Sequence, residues 1–94
     1  MSAQKSIIIR NKSGLHARPA ALFVQIANKY DCDISVRKGK QKVNGKSIMG
    51  IMMLAAEKGS RVTIIAEGEG AEDAAKELET LLLSPTIEEY DSKS

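Results

Sequence analysis

The chain has 94 residues, 43% of them apolar and 28% charged, with a net charge of +2; this describes one ordinary globular domain, too small for an enclosed active site of its own. No apolar run approaches a membrane span, the first six residues lack the pattern of a secretory signal, and one cysteine (Cys32) with one histidine (His16) excludes an internal disulfide and a cysteine/histidine zinc cluster. A soluble protein of a reducing cytoplasm, with its chemistry on the surface and no metal or cofactor, is expected.

Alternation carried by Ile7 and Ile9 predicts a first strand over residues 6–10, and residues 11–14, Asn-Lys-Ser-Gly, break it. From Ala17 to about Lys29, Ala20, Phe23, Val24 and Ala27 recur at helical spacing and form a stripe that must pack on something. Ile34 and Val36 mark a second strand, Lys38-Gly39-Lys40 a turn, and Val43 a third, short strand, so that the two make a hairpin. Ser47 is a candidate N-cap for a short helix through Ile48, Met49, Ile51, Met52 and Met53, which Gly50 weakens. Methionine fills cores by default, so some of the four methionines are expected inside. Val62, Ile64 and Ala66 mark a fourth strand; Ala71, Ala74, Leu78, Leu81 and Leu82 are the stripe of a last helix, with Glu72 and Asp73 at its positive end and Glu72–Lys76 as an i,i+4 pair.

One apolar face per strand and one stripe per helix are buried most economically in two layers: an α+β open-faced β-sandwich, a four-stranded antiparallel sheet covered on one face by three helices in the order βαββαβα. Residues 1–83 are read as this domain and residues 84–94, polar and acidic, as a frayed tail.

Charge is divided unevenly along the chain. Residues 1–46 hold ten basic and two acidic groups, residues 47–94 four basic and ten acidic. A basic half suits an acidic protein surface or a nucleic acid. Phe23, Tyr30 and Tyr90 are too scattered for a stacking platform, which argues against nucleic acid.

Residues 14–20, Gly-Leu-His-Ala-Arg-Pro-Ala, place the histidine and an arginine at a helix start. Neutral imidazole is a nucleophile near pH 7, and a guanidinium two residues on can pair with a phosphate that the ring acquires. Gly14 permits a sharp turn, and Pro19 suits a first helical turn because its missing N–H would have no intrahelical acceptor. Backbone N–H groups and the helix dipole favour an anion there. A reversible anion-binding module is the rival reading of these residues, and it predicts no covalent phosphate.

This seven-residue block resembles the phosphorylation site of HPr, the histidine-containing phosphocarrier of the bacterial phosphoenolpyruvate:sugar phosphotransferase system, and the resemblance spans about residues 5–83. It implies that His16 accepts a phosphoryl group on Nδ1 from phosphorylated enzyme I and donates it to IIA domains of sugar permeases, with Arg18 stabilising the phosphate. Residues 46–50, Lys-Ser-Ile-Met-Gly, look like the family's regulatory segment, which implies phosphorylation of Ser47 by an HPr kinase/phosphorylase. Leu15, Ile48, Met49 and Ile51 are expected to flank the site as a docking face, with Ser47 as its neighbouring switch. A monomeric carrier without stand-alone turnover follows, the alternative being a regulatory HPr paralogue, a nitrogen-related or catabolite-control relay, that does not feed sugar transport. Some relatives replace the site histidine and lose the carrier role; here it is present.

Overall fold

A computed structural model describes residues 1–84. The element order is β1 (Ser2–Ile8), α1 (Ala17–Ala27), β2 (Asp33–Lys38), β3 (Gln41–Asn44), α2 (Ile48–Met53), β4 (Arg61–Glu67) and α3 (Ala71–Leu82). The four strands form one sheet in the order β1-β4-β2-β3, and every pair is antiparallel. The expected α+β open-faced sandwich is therefore the fold.

Register decides which residues reach the core. Ile7 opposes Val62, Ile64 opposes Val36, and Ala66 opposes Ile34 across the ladders, so these side chains share the helix-covered face. Phe23 of α1 and Leu78 and Leu82 of α3 descend on that face and are fully buried; each such side chain contributes about 1.5–3 kcal/mol by leaving water. Gln4, Ser35, Arg37 and Arg61 alternate onto the opposite face, which no helix among the described residues covers, and this explains the polar half of the strand pattern.

Two boundaries differ from the sequence expectation. β1 starts at Ser2 and not Ser6, because as an edge strand it pairs only with β4 and needs few apolar residues; half-buried Ala3 and Lys5 cover the core margin. Its ladder runs on through Ile9, whose N–H donates to the Ser60 carbonyl (2.8 Å) and whose own carbonyl accepts from Gly59 (2.8 Å). α1 ends at Ala27, where Asn28 caps it: its backbone N–H and its side-chain Nδ2 both donate to the Val24 carbonyl, each at 2.9 Å. On α3, the carboxylates pair across elements, Glu77 with Lys29 just after α1 (2.8 Å) and Glu79 with Lys5 of β1 (4.0 Å). Of the tail, only Ser84 lies within the described residues. No helix among those residues is long and apolar enough to cross a membrane.

Candidate functional site around His16

The loop from Asn11 to His16 is built inward. Asn11 is 1% exposed, and its Nδ2 donates to the Gly14 carbonyl at 2.9 Å, closing a turn in which the Gly14 N–H also bonds back to the Asn11 carbonyl (3.3 Å). Gly14 has φ +67°, and a Cβ there would lie 2.3 Å from the Ala56 carbonyl oxygen and 2.9 Å from the Glu57 Cα. Only glycine fits such a backbone-to-backbone approach. Leu15 follows, fully buried, with its N–H on the Ala56 carbonyl at 2.8 Å. With Leu15 plugged inward, the extended backbone turns the next side chain outward.

That side chain is His16. It is exposed and occupies the N-cap of α1 with φ −117° and ψ 157°, and its ring makes no capping hydrogen bond. The imidazole is thus held at the helix's positive end while remaining uncommitted to capping it. Ala17, the first helical residue, has φ +45°, a left-handed conformation that costs a non-glycine residue about 1–2 kcal/mol. Arg18 is exposed in the same turn, Pro19 is buried beneath it, and no acidic residue occupies that turn. Backbone N–H groups, one guanidinium and a first turn without an acidic residue suit this end of α1 to an anion.

Ser47 occupies the N-cap of α2, half-buried, and its Oγ accepts the Gly50 N–H at 3.0 Å, so the expected cap is present. Gly50 also lets the helix start sit close to β3: a Cβ there would come within 3.1 Å of the Asn44 carbonyl. The two helices run side by side and antiparallel. Asn28 at the end of α1 reaches the Lys46 carbonyl before α2 (3.4 Å), whereas Leu15 before α1 bonds Ala56 just after α2. His16 and Ser47 consequently sit at opposite ends of the helix pair, with the 11 residues of α1, about 16 Å of helix, running between those ends. The expected switch at Ser47 lies at the far end of the pair from His16.

The expected docking face is corrected. Leu15 and Ile51 are fully buried and belong to the core. In a helix of under two turns, Ile51 and the capping Leu54, three positions apart, are the side chains that point inward. Ile48 (42%), Met49 (67%), Met52 (37%) and Met53 (65%) are left exposed, and Met1 is exposed as well, so none of the methionines fills the core. Sequence reasoning undervalued Met52 and Met53, and it passed over Asn11 as a mere break. A buried amide just before a positive-φ glycine has no sequence signal beyond turn composition.

The molecule is an open-faced α+β sandwich that presents its histidine at an exposed helix start, with exposed apolar side chains on the helix packed beside it. The family model described as the PTS HPr component phosphorylation site matches residues 3–84, and the chain belongs to that family. It is 51% identical over 75 residues to the HPr-like protein Crh of Bacillus subtilis (strain 168), covering 80% of this chain and 88% of that one. Among solved structures, HPr-C-His from Thermoanaerobacter tengcongensis is 49% identical with a TM-score of 0.87 over 95% of this chain and 99% of that one. The phosphocarrier protein HPr from Bacillus anthracis strain Ames is 51% identical with a TM-score of 0.81, over 84% and 94%.

Proposed function

We propose that this protein carries a phosphoryl group on Nδ1 of His16, taken from a phosphohistidine of enzyme I that phosphoenolpyruvate has charged, and passes it to a histidine of a IIA domain. The observation that carries this reading is an exposed imidazole at the N-cap of α1 that is not spent on capping. In the transfer the partner's N–P bond breaks as the His16 N–P bond forms, and Arg18 with the first-turn N–H groups offsets charge on the phosphoryl oxygens. One cation and a few amides on an open surface make a moderate clamp, which suits a carrier that must release what it accepts. The rest of the transition state is completed by the partner, so the protein has no turnover of its own. It works as a diffusing cytoplasmic monomer, with Ile48, Met49, Met52 and Met53 as the adaptable docking surface.

The similarity to Crh favours a second reading, in which the phosphoryl group or its absence regulates other proteins and does not feed sugar uptake. Phosphorylation of Ser47 by an HPr kinase/phosphorylase fits both readings, because it adds up to two negative charges beside Ile48 on the docking helix.

The test is intact mass after incubation with enzyme I and phosphoenolpyruvate. One acid-labile phosphoryl group is expected on the wild type and none on His16→Ala; no gain, or an undiminished gain in the variant, defeats the carrier reading. Adding IIA domains then separates the two outlets, since sugar delivery requires that the group leave His16 for a IIA histidine.

A further inference from the structure

Lys38, the last residue of β2, is half-buried, and its Nζ donates to the carbonyls of both Leu54 and Ala55, each at 3.1 Å. Gln41, the first residue of β3, adds a bond from Nε2 to the Met53 carbonyl at 3.3 Å. Two side chains of one hairpin therefore hold three consecutive carbonyls at the end of α2, where a cation also complements the helix dipole. The turn they hold is strained, since Ala55 has φ +51° without being glycine. The very next carbonyl, that of Ala56, accepts the Leu15 N–H and packs against Gly14. His16 is one residue further on.

We propose that Lys38 is a positioning residue for His16. It holds the left-handed turn at Ala55, that turn aims the Ala56 carbonyl, and the carbonyl sets the register of Leu15 and hence the placement of His16 at the N-cap of α1. When the ammonium is removed, Ala55 relaxes toward negative φ, the Ala56 carbonyl rotates off Leu15, and the imidazole loses its alignment with the first-turn N–H groups. The link between Lys38 and Leu15 stands on the hydrogen bonds alone, while its effect on transfer rests on the carrier reading of His16.

The experiment compares the full chain with Lys38→Met, which keeps the aliphatic stem and removes the donor, and with Lys38→Arg, which can still bond two carbonyls. Amide hydrogen exchange and the rate of phosphoryl uptake from phosphorylated enzyme I are measured on each. In Lys38→Met, exchange at the Leu15 amide rises about tenfold while the amides of Ile64 and Val36 in the sheet change less than about twofold. Uptake slows by about threefold or more, and Lys38→Arg returns both readouts to near the wild-type values. Unchanged Leu15 exchange in Lys38→Met, a rise in equal proportion at Ile64 and Val36, or an arginine variant no better than methionine overturns the proposal. Slowed uptake without faster Leu15 exchange also overturns it. Failure of the wild type to take up a phosphoryl group defeats the carrier reading instead, and the exchange comparison still decides the Lys38–Leu15 link.

Discussion

At the scale of single residues, two positive-φ glycines separate strain from collision. Gly39 has φ +60° with nothing within 4 Å of a would-be Cβ, whereas Gly14 has φ +67° and a carbonyl oxygen 2.3 Å away. Gly39→Ala is expected to cost about 1 kcal/mol, the left-handed penalty alone. Gly14→Ala must also push the loop off Ala56, and a loss above about 3 kcal/mol is expected. Urea denaturation of the two variants checks this, and equal losses would show that the loop yields freely. Leu15 and Asn11 act at this scale as well: one is a buried plug, the other a buried clasp, and together they leave His16 little choice of place.

At the scale of elements, α2 has an inner and an outer side with different jobs. Ile51→Ala opens a cavity in the core and is expected to destabilise by about 2–5 kcal/mol. Met49→Ala, at an exposed position, should stay within about 0.5 kcal/mol of wild type yet weaken binding to enzyme I; calorimetry on both variants separates the roles, and an unaltered Met49→Ala affinity would remove that residue from the docking face. The helix start makes its own prediction. Ser47→Ala loses the bond to Gly50 and about 1 kcal/mol, while Ser47→Asp, which can still cap, stays within a few tenths. Neither variant should take phosphate from ATP in the presence of an HPr kinase. Because Ser47 and His16 lie at opposite ends of the antiparallel pair, phosphate on the serine is expected to act on docking to α2 more than on the imidazole's chemistry.

At the scale of the whole molecule, the segment that leaves α1 is tied to α3 through Lys29, Tyr30 and Glu77. The Tyr30 hydroxyl donates to the Glu77 carboxylate at 2.5 Å, and Lys29 donates to the same carboxylate at 2.8 Å. The Lys29 bond first, and then the Tyr30 bond, hold the Glu77 carboxyl below its usual range, against the opposing effect of burial. Tyr30 is pushed up from 10 to about 12, chiefly by its bond to Glu77 and then by burial. For Glu77 the unfolded chain binds the proton more tightly, so the stabilisation is complete above the ordinary carboxylate range and is lost as pH falls through the folded-state value. For Tyr30 the folded chain binds the proton more tightly, so stability is lost as pH rises from 10 toward 12. Melting temperatures across both ranges should fall at each end. Glu77→Gln should flatten the acid limb and Tyr30→Phe the alkaline one; unchanged limbs would mean that the triad does not link the helices.

The order of elements, the open-faced sandwich and the helix start at residue 17 were legible in the chain, because alternation, helical spacing, glycine and proline are local signals that local physics obeys. Ser47 as a cap was legible for the same reason. The edge strand's early start was not, since a strand paired on one side needs little apolar content. The division of α2 into buried Ile51 and exposed Met49, Met52 and Met53 was not legible either, because a helix of under two turns has too few residues to define its own face and takes its rotation from the partners it meets. Sequence by itself therefore determined which residues are the candidates for chemistry and on which kind of element they lie. Tertiary structure alone decided where that chemistry points: Leu15 inward, His16 outward, Ser47 at the far end. Those directions depend on contacts such as Gly14 against Ala56 and Lys38 on the end of α2, made between residues far apart in the chain.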